Sequence, residues 1–343
     1  MKYFSLTAML LGLAALPALA QAPPAGQDVR ARTINTGGEN GAYHTLFCPP
    51  FPPALARVYF NGYACTTSRG TLENITRALQ APGAIGFVQL DVFSREAARR
   101  TEELSRLTVI RRDIACEGLW MITRNERLNN LGDVQGFARR MTFILPPRES
   151  GSTASFNYLR ETDPNGLGQV PEANIRYARD ATDMINQVAA STDGAVGFFV
   201  QFADPTNANI KLIVERNLRV VPVVSRELLR ARVGDQAVYE VQEFSLSEGG
   251  LLGIGGRARN VTTACTPVAV ITATAESMPA GNAQADQRDL IMRLREVPSA
   301  QLLPQQGAIA RLISGTRRMS QSAVDTMVTA AETAKLAAQR AVN

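Results

Sequence analysis

Three times within its first 110 residues this chain runs from a short apolar segment, through a polar turn, into a helical pattern. The segment Arg32-Thr33-Ile34-Asn35-Thr36 enters the glycines of TGGENGAYH. Tyr63-Ala64-Cys65-Thr66-Thr67 ends in SRGTLEN and leads to Leu72, Ile75 and Leu79 at three- and four-residue spacing. The third run, AIGFVQLDV from Ala84, stops at Asp91 before the charged pattern SREAARRTEELSRL. A helix after each strand carries the chain back to the same end of a sheet, so the repetition predicts an α/β fold of parallel strands covered by helices.

The alternation then restarts. Apolar segments at 107–110 and 119–123 are separated by the charged RRDIACEG, and the turn-rich NERLNNLGDVQGFARR reads as the crossing into a second lobe. That lobe opens with the strand MTFIL, the loop PPRESGS and a helix over 153–159. NIRYA, the amphipathic ATDMINQVAAS, the buried strand 195–200 and the strand LRVVPVV follow. GGLLGIGGRAR, residues 249–259, is too rich in glycine for a helix or a central strand and reads as a loop. A strong apolar strand over 266–273 comes next, and the remainder reads as helical. In its tail Val324, Met327, Val328 and Ala331 share a face that reads as packing on the rest of the domain, with Ser322 and Asp325 placed as a capping pair. At 343 residues the chain exceeds the roughly 250–300 at which one core stops growing, so two units agree with its length.

The first residues are those of an export signal: Met1-Lys2, an apolar run through Leu16, and Pro17-Ala18-Leu19-Ala20 before QAPPAGQD, predicting cleavage after Ala20. No later run reaches the ~18 apolar residues of a membrane span, so no stable membrane insertion is expected. Export to an oxidising compartment allows Cys48, Cys65, Cys116 and Cys265 to form two disulfides in any of three connectivities. No pair has C-x-x-C spacing and His44 is the one histidine, so a Cys/His metal centre lacks ligands and no cofactor is implied. The net charge of +5 is spread among acids without a basic block, which argues against a nucleic-acid partner.

The polar turns carry the chemistry. GGENGAY is not a dinucleotide fingerprint, because G-x-G-x-x-G spacing fails, but its glycines let backbone N–H groups approach an anion. SRGTLEN adds hydroxyls and Arg69, and RESGST supplies the same chemistry in the second lobe. Ligands of open α/β sheets sit at the carboxyl ends of the strands, where these turns lie.

TINTGGENGAY, TSRGTLENI, AIGFVQLDV, PPRESGSTASFNYL and DMINQVAASTDGAVGFFV, in that order, resemble the TAXI solute receptors of tripartite (TRAP) transporters over about residues 32–275. The resemblance implies a two-lobed type II periplasmic-binding-protein fold with a hinge and an inter-lobe ligand cleft. Residues 28–118 would form the first part of lobe 1, 119–258 lobe 2, and 259–343 the return to lobe 1. The family motifs fall on Thr36, Gly37, Gly38 and Tyr43, on Ser68, Thr71 and Asn74, and on Ser150, Gly151, Ser152 and Thr153. Gln89 and Asp91 match the end of the third strand, and Gln201 follows the FFV strand. Three departures stand out: CPPFPP interrupts the first helix, His44 replaces a common tyrosine, and Arg148-Glu149 replace small residues.

The implied function is capture of a small anionic or zwitterionic solute, an organic acid or amino acid, for TRAP-type membrane subunits. Arg69 is the expected partner of a solute carboxylate. A periplasmic sensor feeding a receptor would share the same cleft. A hydrolase would need a base beside a serine, and no G-x-S-x-G elbow is present, so no catalysis is expected. Cys48 and Cys65 bracket one segment of lobe 1, whereas Cys116 and Cys265 begin strands beside the crossings, so pairing 48–65 and 116–265 is expected.

Overall fold

A computed structural model describes residues 31–204, 206–247, 259–303 and 317–342. The expected signal segment and all but Arg259 of the glycine-rich loop lie outside the described residues. In chain order the strands are β1 (Thr33–Asn35), β2 (Ala64–Thr66), β3 (Ile85–Gln89), β4 (Leu107–Arg111), β5 (Cys116–Thr123), β6 (Phe143–Leu145), β7 (Ile175–Tyr177), β8 (Val196–Gln201) and β9 (Arg219–Val221). A short hairpin, β10 (Arg232–Val233) and β11 (Gln236–Ala237), precedes β12 (Glu240–Ser245), β13 (Asn260–Ala273) and β14 (Arg317–Arg318).

Twelve strands form one mixed sheet, curled into a half-barrel and flanked by helices. In lobe 1, β1 pairs in parallel with β2 (Ile34 opposite Cys65) and with β3 (Ile34 opposite Ile85). β13 then lies antiparallel between β3 and β4. In lobe 2, β6 runs parallel to β7 and β8, while β5 is antiparallel to β8 and β9. The 14-residue β13 belongs to both lobes, its first half pairing with β12 and β5 and its second with β3 and β4. This is the bilobed α/β architecture that the resemblance implies, with β5 and β13 antiparallel in the sheet where the strand–helix repetition predicts parallel strands.

Burial on both faces explains why the central strands read as unbroken apolar runs. Phe87, Val268 and Val270 pack with Ile34, Phe47 and Phe51 on one side of the lobe 1 sheet; Val88, Ala269 and Ile271 pack with Ile75 and Leu104 on the other. Lobe 2 repeats the pattern, with Met121, Phe143 and Phe198 on one face and Trp120, Ile122, Ile144 and Phe199 on the other. Both expected disulfides are present. Cys48–Cys65 ties the first helical segment to β2, and Cys116–Cys265, with Cα atoms 5.5 Å apart, joins β5 to β13 where the chain passes between lobes.

Several segments differ from their reading in the sequence. The crossing falls between β4 and β5, whereas NERLNNLGDVQGFARR contains the helix Leu131–Phe137. Asn130 caps that helix by accepting from the Asp133 amide, and the Asp133 carboxylate accepts from the Asn130 amide in return. Its glycines are there for packing: a Cβ at Gly132 would run into the Ala331 carbonyl, and one at Gly136 into the Ala338 side chain. The C-terminal helix Gln321–Val342 therefore lies against lobe 2, not with the lobe 1 return, and Lys335 Nζ is 3.3 Å from the buried Asp163 Oδ1. Ser320, not Ser322, caps that helix, its hydroxyl accepting from the Ala323 amide. CPPFPP does interrupt the first helix, leaving one wide turn at Tyr43–Phe47 and the helix Phe51–Arg57. β9 stops before Pro222, and β13 begins six residues earlier than the expected strand. Among the described residues no helix is long and apolar enough to cross a membrane.

Candidate functional site

The three expected turns follow the carboxyl ends of β1, β2 and β6, and Asn74 holds the first two in place. Its side-chain amide donates to the Thr36 carbonyl at 2.6 Å and to the Phe87 carbonyl at 2.7 Å, and its Oδ1 accepts from the Ser68 hydroxyl at 2.6 Å. The Ser68 amide donates to the Gly37 carbonyl, so the first and second turns are stitched directly. Thr71 begins the helix Thr71–Gln80, and its hydroxyl accepts from the Gln89 amide at the end of β3. In lobe 2, Ser150 caps the helix Gly151–Thr162 through the Thr153 amide. The Ser152 hydroxyl accepts from the Val200 amide and donates to its carbonyl, clipping that helix to β8.

Between these turns lies a cavity of about 500 Å3. Seven of the fifteen expected ligand residues line it: Gly37, Tyr43, Thr71 and Gln89 from lobe 1, and Gly151, Ser152 and Gln201 from lobe 2. Thr36, Asn74, Asp91, Ser150 and Thr153 lie behind its wall as buried or capping groups that shape the turns. Gly38, Ser68 and Arg69 face a separate shallow depression with His44. The Arg69 side chain is 87% exposed and ion-paired with Glu73 at 3.0 Å, so the expected carboxylate partner points away from the cavity.

The lining also holds residues that the turn motifs did not single out. Glu117 on β5 forms part of the floor; Asp204 and Asn207 come from the turn after β8, and Asn209 from the first turn of the helix Ala208–Glu215. In the sequence Glu117 falls within the charged segment RRDIACEG, whereas the structure places it inside the otherwise apolar strand CEGLWMIT. It is 6% exposed, and its Oε2 accepts from the Tyr43 hydroxyl at 2.7 Å. Burial raises its pKa from the usual 4.5 to about 7, against the opposing pull of Tyr43 and Gln89. Behind it, Asp91 is raised by burial, and its carboxylate accepts from the Val92 amide and the Tyr239 hydroxyl. The phenols of Tyr43 and Tyr239 are pushed up in turn by their own burial and by these carboxylates. Glu117 and Asp204 are the charged side chains among the described residues lining the cavity; no Lys, Arg or His side chain joins them.

Gln89 spans the two lobes. It is 6% exposed, its Oε1 is buried without a hydrogen-bond partner, and that oxygen fills the space where a Cβ at Gly151 would lie. His44 is hydrogen-bonded through Nδ1 to the Thr36 hydroxyl at 3.0 Å, a contact that orients the first turn. Among the described residues no cluster of His, Cys, Asp and Glu could hold a metal ion.

No family model and no curated protein sequence matches the chain. Solved structures similar to it include an ABC-type phosphate transport receptor from Vibrio cholerae, at 12% identity and a TM-score of 0.41, covering 79% of this chain and 96% of that one. A Xanthomonas citri protein bound to ATP is 11% identical with a TM-score of 0.41, covering 91% of this chain and 100% of that one. The BvgS VFT2 domain of Bordetella pertussis is 13% identical with a TM-score of 0.38, over 83% and 92%. Strand order and register define the fold.

Proposed function

We propose that this protein is an exported solute receptor of the TAXI type, which encloses a small polar solute between its lobes and delivers it to TRAP-type membrane subunits. The observation that carries the reading is the cavity itself, built at strand ends from turns of both lobes and of a size that suits a small organic molecule. Of the expected solute classes, the zwitterion fits the lining better than the simple anion, because Glu117 and Asp204 would repel a dianion and no cationic side chain offsets them. Among the described residues β5 and β13 carry the chain between the lobes, and hinge closure on the solute is the accompanying motion.

The reading is tested by thermal unfolding against a panel of amino acids, amines and organic acids, followed by X-ray scattering with any compound that stabilises. A ligand at a hundred times its Kd adds about 2.7 kcal/mol of stability, and bound protein should have the smaller radius of gyration. A panel without any stabilising compound argues against solute capture.

A further inference from the structure

We propose that the floor of the cleft is a recognition site for a protonated amine, whose N–H groups are received by the Glu117 carboxylate and the Gln89 Oε1. This rests on the receptor reading above and deepens it by naming the chemistry the solute has to carry.

Two independent features of the floor point the same way. Gln89 Oε1 is a buried acceptor without a donor, on a side chain that lines the cavity. Such an atom is costly to leave unpaired, and a solute N–H removes the cost. Glu117 is a carboxylate 6% exposed to solvent with no cation beside it in the cavity. A buried carboxylate is tolerated when a partner of opposite charge arrives, and Glu117 is among the residues that line the cavity where the solute would sit. The titratable groups facing it are all acidic: Tyr43 against its Oε2, Asp91 behind it and Asp204 across the cavity.

Donor number separates a protonated amine from a quaternary ammonium. A primary ammonium has three N–H groups, enough for Glu117 and Gln89 Oε1 together, whereas a quaternary ammonium has none. The helices starting at Thr71 and Gly151 also present their first turns to the cavity, which leaves a place for a carboxylate at the other end of a zwitterion.

The test compares four compounds of one backbone length by calorimetry on the full mature chain: 4-aminobutyrate, its N-trimethyl derivative, 1,4-diaminobutane and succinate. At least one primary amine should bind ten-fold or more tighter than succinate, and trimethylation of 4-aminobutyrate should weaken it at least ten-fold. Because Glu117 must be ionised to hold an ammonium, amine affinity in the wild-type protein should rise roughly 20-fold between pH 5.5 and 7.5 and then level off. Glu117→Gln should abolish that rise, and the wild-type pH profile stands by itself if the variant does not fold. Succinate binding more tightly than both primary amines, with affinity falling as pH rises, would overturn the amine site and leave the receptor reading intact. Absence of binding by all four, together with an empty thermal panel, would overturn both.

Discussion

Gln89 and Gly151 meet across the cleft, the amide oxygen of one occupying the volume a side chain on the other would need. The contact joins the last residue of β3 in lobe 1 to the first residue of a lobe 2 helix. A methyl group at Gly151 would displace the far end of a flexible side chain, not backbone, so Gly151→Ala should change stability by less than about 1 kcal/mol. Its effect on binding should be much larger. With Oε1 swung from the floor, solute affinity should fall at least ten-fold, and calorimetry beside thermal melts separates the two effects.

Asn74 is the opposite case, a residue whose value is structural. It is fully buried and satisfies the carbonyls of Thr36, just past β1, and of Phe87, in the middle of β3. Asn74→Ala leaves both carbonyls and the Ser68 hydroxyl short of a partner, and should cost about 2–4 kcal/mol in urea unfolding. Wild-type stability in that variant would remove Asn74 from its place as the joint of the two turns.

The parts legible in the sequence were those where one local rule decides. AIGFV is apolar throughout because both of its faces are covered, and the turns with glycine and hydroxyl residues do cluster at strand ends. The helix Leu131–Phe137 was illegible because its glycines, which read as breakers, serve a close approach by a helix almost two hundred residues later. Glu117 escaped for a related reason: a lone acid in a strand gains meaning only when the fold places Tyr43 and Gln89 over it.

Arg69 illustrates the converse error of reading a turn by its chemistry alone. Its exposed ion pair with Glu73, four residues on, is a solvent-screened contact. Arg69→Ala should therefore leave solute affinity within two-fold of wild type, measured with whichever compound stabilises the protein. A loss of ten-fold or more would bring Arg69 into the site and require the first two turns to rearrange on binding.

The docking of the C-terminal helix gives a test of close packing. At Gly132 an added Cβ meets the Ala331 backbone, which cannot rotate away as a side chain can. Gly132→Ala should push the helix Gln321–Val342 off its seat, destabilise by about 1–3 kcal/mol, and strain the Lys335–Asp163 pair. Amide exchange should quicken over 321–342 while β1 and β3 in the other lobe keep their protection.

Glu117 also makes stability depend on pH in the absence of solute. Below pH 4.5 the group is protonated in both folded and unfolded chains, so it contributes no pH dependence. Between 4.5 and about 7 the unfolded chain releases the proton while the folded one retains it. The folded state binds more protons there, so this group's contribution falls as pH rises, by on the order of 3 kcal/mol across the interval. Asp91, also raised by burial, acts in the same direction. Glu117→Gln cannot ionise, and the difference in urea-unfolding free energy between variant and wild type should shift in the variant's favour from pH 4.5 to 7.5. A bound amine should cancel that shift, because it supplies the counter-charge that the empty cleft lacks. Parallel pH profiles of variant and wild type without solute would place the Glu117 carboxylate in contact with water, not in the buried floor that the strand positions give it.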